Sequence, residues 1–193
     1  HQVPFKTKQL IHMENVSIKY GANTVCDNIN IDVLQGDRVA IEGKNGSGKS
    51  SILKLICGDK IEHGGTVQIG SGLIVSYLPQ DTSFLSGHLK EYAIEKNLDE
   101  TLFKTILRKL DFSRIQFEKD MNNYSLGQKK KVLIAQSLCE KSNLMIWDEP
   151  LNYIDIFSRM QIENLLSEFK PTMIFVEHDK IFCNNIANKT IHI

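Results

Sequence analysis

The chain has 193 residues, 41% of them hydrophobic, with Lys+Arg and Asp+Glu both at 23 and a formal net charge of zero. That is the size of one domain with a real core, and it carries no global basic field of the kind that draws a protein to nucleic acid. No apolar run approaches the roughly 20 residues a membrane helix needs, and the cysteines at 26, 57, 139 and 183 include no CxxC pair, a usage that suits reduced thiols in a cytosolic protein.

Residues 1–10 are polar and mixed, like the tail of a linker, and the opening His1-Gln2-Val3 without methionine reads as a chain cut from something longer. Short β-type runs follow at 11–19, 25–33 and 37–42, with Gly21 and Gly36 marking turns. A helix is expected over 50–57, closed by Gly58, and a β-type run over 73–78, ended by Pro79. Between 81 and 124 the apolar period becomes helical. Leu98, Leu102, Ile106 and Leu110 share a face, joined by Phe103 and Leu107, and core packing accounts for that stripe. A helical lobe over about 81–141, inserted in an α/β domain, is the reading.

Ser125 is a good N-cap residue for a helix running to about Cys139. A strand at 144–147, a helix at Ile156–Phe169, a strand at 172–176 and a short final helix and strand complete the chain. Strand–helix alternation predicts an α/β fold with a mainly parallel sheet, and the early runs suggest an added antiparallel β-layer.

Gly43-Lys44-Asn45-Gly46-Ser47-Gly48-Lys49-Ser50 matches G-x-x-x-x-G-K-[ST] at every fixed position, between an entering strand and a leaving helix. Glycines let successive backbone N–H groups curl around phosphate oxygens, and the helix N-terminus adds partial positive charge. Gly43, Asn45, Gly46, Ser47, Gly48 and Ser51 are therefore candidate phosphate contacts. Lys49 is placed to reach the β- and γ-phosphates, and the Ser50 hydroxyl to ligate Mg²⁺. The motif says nucleotide, not which one.

The apolar strand Asn143-Leu144-Met145-Ile146-Trp147 ends in Asp148-Glu149. Asp148 at its tip can hold Mg²⁺, and Glu149 can polarise an attacking water, a step worth about 10²–10⁴-fold in rate. Gln80, just past the run at 73–78, can touch both Mg²⁺ and that water. His178 follows a strand at the place where active-site groups of open α/β sheets gather. Tyr20 can stack on a base, a contact worth about 1–3 kcal/mol, with a half-buried strand tyrosine as the competing reading. Lys129-Lys130-Lys131 reads as a solvated helix face rather than an RNA contact.

Ser125-Leu126-Gly127-Gln128 lies between the phosphate loop and the acidic strand. Such a turn cannot reach its own domain's nucleotide, so it reads as a surface for the ATP of a second domain. Together, Tyr20, the phosphate loop, Gln80, this signature, the acidic strand, Asp155 and His178 make the chain resemble an ATP-binding cassette (ABC) nucleotide-binding domain, from Tyr20 to His178. The resemblance implies ATP and Mg²⁺ as cofactors, Mg²⁺ on Ser50, Gln80 and Asp148, Glu149 as base, and His178 on the γ-phosphate. It also implies that Ser125, Gly127, Gln128 and Asp155 act in trans on a second cassette, or on a second copy where the domain stands alone.

Asp148-Glu149-Pro150-Leu151-Asn152-Tyr153-Ile154-Asp155 looks like the ABC-F pattern DEPTNHLD, and Tyr77-Leu78-Pro79-Gln80-Asp81 is also ABC-F-like. ABC-F proteins carry two cassettes on one chain and act on the ribosome. The short stretch between Gln80 and Ser125 leaves no room for a helical arm, so the likeness is to the C-terminal cassette. Leu126 and Leu151 replace the usual Gly and Thr, and SLGQKKK with WDEPLNYID is similar to the antibiotic-resistance branch. The expectation is a cytoplasmic ATPase, slow in isolation, that protects the ribosome through its full-length protein without inserting in a membrane. A transporter ATPase subunit and a nucleotide-gated module with little hydrolysis are the rival readings.

Overall fold

The computed structural model describes residues 2–193. In chain order the elements are β1 (Gln9–Tyr20), β2 (Asn23–Leu34), β3 (Arg38–Glu42), α1 (Lys49–Ile56), β4 (His63–Ile69), β5 (Val75–Leu78), α2 (Leu89–Glu95) and α3 (Glu100–Lys109). They continue with α4 (Arg114–Glu118), α5 (Leu126–Cys139), β6 (Leu144–Asp148), α6 (Ile156–Phe169), β7 (Met173–Val176), α7 (Lys180–Ile186) and β8 (Lys189–His192). β2, β1 and β4 form an antiparallel sheet in that order, and β5-β6-β7-β3-β8 form a parallel one. The α/β architecture with a parallel core, an antiparallel layer and a helical segment is as the sequence predicts.

The central parallel strands β6, β7 and β3 are buried on both faces, and their alternation divides the core in two. Leu144 and Ile146 of β6, with Val39 and Ile41 of β3, meet the apolar face of β1 and β2 and the helix α1. Met145 and Trp147, with Ala40 and Phe175, meet α5 and the helical segment on the other side. Near-continuous apolar runs are what a strand covered on both faces requires. The Trp147 indole Nε1 donates to Ser137 Oγ at 2.8 Å, and Ser137 shares a 2.8 Å hydrogen bond with Ser76, so α5 is pinned to β5 and β6 by buried polar contacts.

Two features depart from the sequence reading. β4 carries no alternating apolar pattern, and six of its seven residues are exposed, so it adds an edge strand to β1 that periodicity does not reveal. Leu98 lies ahead of the Asp99 cap, which accepts from Leu102 N at 2.9 Å, so the apolar stripe starts before α3 does. The lysine run on α5 is a further correction. Lys129 is half-buried, but Lys130 is 1% exposed and Lys131 8% exposed, because α5 packs between the core and two loops of the site. It is no solvated face.

Candidate functional site

The phosphate loop connects β3 to α1. Gly48, at φ 92, holds the N-cap position of α1, and an added Cβ there would stand 2.9 Å from Val25 Cγ1, so both backbone and space ask for glycine. With no side chain capping α1, its first-turn amides stay open toward the loop's concave side. Lys49 is buried at 7% exposure, its Nζ donating to Gly43 O at 2.9 Å and Lys44 O at 2.8 Å. An ammonium has three donors, so one remains for a phosphate oxygen. A cavity of about 150 Å³ lined by Gly43, Lys49, Glu177 and His178 opens beside it. A larger cavity, of about 940 Å³, lies between Ile74, the α2–α3 turn and the end of α5, and no residue of the loop lines it.

Asp148 ends β6 and is 3% exposed, and its Oδ1 has no hydrogen-bond partner among the described residues. Burial pushes its carboxyl above the usual carboxylate range, while the Ser50 hydroxyl beside it pulls the other way. A buried carboxylate oxygen without a donor is costly unless a cation takes it. The Ser50–Asp148 pair offers hard oxygen ligands only, which suits Mg²⁺. Ser47 Oγ, in the loop, is a second buried oxygen atom with no partner among the described residues.

The chain turns sharply after Asp148. Glu149 takes the left-handed conformation, φ 48, while its amide donates to Val176 O at 3.0 Å. A strained non-glycine residue held by its surroundings is a common mark of a functional site. Three elements converge on its carboxylate. Gln80 Nε2, from the turn after β5, donates to Glu149 Oε2 at 2.8 Å, and Asn152 Nδ2 donates to the same oxygen at 2.6 Å. His178 Nε2 stands 3.5 Å from Oε1. Thus Gln80, Glu149 and His178, far apart in sequence, meet in space.

Asn152 and Glu177 are members of this cluster that residue-type reasoning passed over. Glu177 is 7% exposed, and its carboxylate accepts from Leu151 N at 3.1 Å and His178 N at 2.7 Å, tying the two loops that carry Glu149 and His178. Its signal lay only in its place next to His178. Tyr20 ends β1 with 51% of its surface exposed, so it is not a core tyrosine, and its hydroxyl donates to Ser51 Oγ at 3.2 Å. The ring therefore lies over the start of α1.

The Ser125–Gln128 turn is a capping box. Ser125 Oγ accepts from Gln128 N at 3.2 Å, and the Gln128 side chain accepts from Ser125 N at 3.0 Å. Because Ser125 Oγ acts as acceptor there, its hydroxyl hydrogen stays available to a ligand. Asp155 caps α6 through Ser158 N at 2.8 Å and pairs with Lys131 Nζ at 3.2 Å. Burial opposes its ionisation, yet the Ser158 amide and hydroxyl and Lys131 hold it down to about 2.

The family model described as ABC transporter matches residues 26–152. The ATP-binding protein Uup of Caulobacter vibrioides is 31% identical over 95% of this chain and 32% of its own length. The ribosome protection protein VmlR of Bacillus subtilis is 30% identical over 95% of this chain and 34% of its own. The chain thus spans about a third of the length of these ABC-F relatives. Two solved structures, an RNase-L inhibitor and an archaeal ribosome recycling factor aABCE1 in complex with the stalk protein aP1, superpose with TM-scores of 0.79 at 21% identity and share the fold. They cover 97% and 100% of this chain and 38% of each of those chains. Among the described residues no helix is long and apolar enough to cross a membrane. The chain belongs to the ABC transporter family of ATP-binding cassettes.

Proposed function

We propose that this cassette binds and hydrolyses ATP as half of a two-site sandwich, in an ABC-F protein that acts on the ribosome and relieves antibiotic inhibition there. One observation carries the hydrolytic part: Gln80, Asn152 and His178 gather on the Glu149 carboxylate, one residue past the unpartnered Asp148 oxygen. ATP lies with its adenine against Tyr20 and its phosphates on the amides of Asn45 to Ser51 and on Lys49. Ser50, Asp148 and Gln80 would hold Mg²⁺, which would supply neutralisation of the phosphate charge. Glu149 takes a proton from the attacking water, with its carboxylate oriented by Gln80 and Asn152. His178, 3.5 Å from Glu149, donates toward the γ-phosphate.

Catalysis here is positioning and charge stabilisation, since phosphoryl transfer leaves little covalent chemistry to the protein. Ser125, Gly127 and Gln128 cap the ATP of the opposing cassette, and Asp155 couples the two sites. The name of VmlR supports the ribosomal reading. The family model's description supports a transporter subunit as the second reading.

Ribosome co-sedimentation separates them. Glu149→Gln in the full-length protein should keep ATP binding, stop turnover by about 10²-fold or more, and pellet with ribosomes only when ATP is present. No pelleting at all would move the transporter reading to first place, and pelleting without regard to ATP would remove the ATP-gated step. Unchanged turnover would remove Glu149 as the base.

A further inference from the structure

A buried lysine on α5 has no part in the scheme above. Lys130 is 1% exposed, although lysines are seldom fully buried unless paired. Among the described residues its Nζ meets no carboxylate at hydrogen-bond distance. It donates instead to two successive backbone carbonyls, Pro79 O at 3.0 Å and Gln80 O at 3.2 Å. Charge-assisted bonds of this kind are about twice as strong as neutral ones. Burial lowers the amine's affinity for its proton, and the surrounding Asp148, Glu149, Glu177 and Asp81 offset that.

The position of these contacts matters more than their strength. The turn that Lys130 grips is the one whose Gln80 side chain reaches Glu149. The helix that carries Lys130 begins with the Ser125–Gln128 capping box. Lys131, about 100° further round the helix, pairs with Asp155 at 3.2 Å. Gly127 packs so closely on the Asp155 loop that an added Cβ would stand 2.3 Å from Tyr153 O. A rigid helix is therefore fastened at one end to the loop after the acidic strand, and through Lys130 to the turn that faces the γ-phosphate side of the site.

We propose that Lys130 is a positioning residue that locks the Pro79–Gln80 turn to α5, so that the nucleotide bound beside Gln80 sets the orientation of the Ser125–Gln128 turn offered to the opposing cassette. This rests on the ATPase reading above and adds to it the route by which one site informs the other. A methionine in place of Lys130 fills the space and leaves both carbonyls without their donor. An arginine restores donors at longer reach.

The test uses the full-length protein carrying this chain. Lys130→Met should lower kcat about tenfold or more while KM and ADP affinity stay within about twofold, and Lys130→Arg should recover a substantial part of the turnover. Hydrogen exchange gives a readout independent of hydrolysis. In the unsubstituted protein, ATP with Mg²⁺ should protect the amides of 80–82 and 125–130 together; in Lys130→Met only the first group should respond. Wild-type turnover with joint protection in Lys130→Met overturns the proposal. So does a parallel loss of ADP affinity, melting temperature and turnover that arginine does not restore. If Lys130→Met does not fold, Lys130→Gln, which keeps a donor for one carbonyl, should turn over at an intermediate rate with unchanged ADP affinity, and wild-type behaviour there overturns it equally. An unsubstituted protein that neither hydrolyses ATP nor changes its exchange with ATP removes the ATPase reading, and this role with it. One that hydrolyses ATP while Lys130→Met is unaffected removes the role of Lys130 alone.

Discussion

The left-handed backbone at Glu149 throws its carboxylate clear of the strand tip, and the side chain then needs neighbours to fix its aim. Gln80 and Asn152 both donate to Oε2, leaving the remaining lone pairs for water. Removing one of two donors loosens a base without discharging it, so Asn152→Ala should lower kcat about tenfold with little change in KM. Steady-state kinetics decide this, and a pure KM effect would mean that Asn152 serves ATP binding instead. Asp155 allows a test by pH. Its folded pKa, about 2, lies below the ordinary 3.8, so the stability it contributes is complete above 3.8 and is lost as pH falls toward 2. Thermal melts of Asp155→Asn against the parent should show a stability gap at neutral pH that narrows through that window. A gap constant down to pH 2 would show that the carboxylate's charge is irrelevant to its cap.

At the scale of elements, α5 is the piece around which the site is arranged. Its second residue, Gly127, sits where alanine would favour the helix by up to about 1 kcal/mol on propensity alone. The added Cβ, however, would meet Tyr153 O at 2.3 Å, a backbone atom that cannot swing aside as a side chain would. Sterics should win: Gly127→Ala lowers both melting temperature and turnover, and a stabilised, fully active variant would show that the two loops separate freely. This element also marks what the sequence could and could not tell. The cap at Ser125 is local, so it was legible in the sequence, whereas the answering bond to the Gln128 side chain came from the structure. The burial of Lys130 was not legible, because three lysines in a row look solvated until the Pro79–Gln80 carbonyls are placed against the helix. The phosphate loop and Asp148 were legible because their spacing is fixed by backbone geometry. Asn152 and Glu177 were not read as members of the cluster, since their partners come from other loops. β4 escaped notice for a physical reason as well: an edge strand with both faces exposed needs no apolar alternation.

At the scale of the whole molecule, the surface around Asp155 looks unfinished. Tyr153, Ile156 and Phe157 are 73%, 76% and 75% exposed, and Ile181 is 62% exposed. Adjacent exposed apolar residues beside a site usually mark a surface that meets a partner. The partner expected here is a second cassette, because the role proposed for the Ser125–Gln128 turn is to complete a site other than its own. Activity of this chain alone should then follow the population of paired copies. At concentrations well below the pairing constant, that population per chain rises in proportion to concentration, so turnover per chain should double when concentration doubles. The double substitution Ile156→Asp with Phe157→Asp should abolish that rise, since it places two charges on each copy of a two-fold contact, where they repel. ADP affinity should survive, because neither residue lies on the phosphate loop. An ATPase assay over about a hundredfold range of protein, with ADP binding as control, separates the cases. Specific activity that stays flat and high would mean that one copy holds a complete site, and the Ser125–Gln128 turn would then need another purpose.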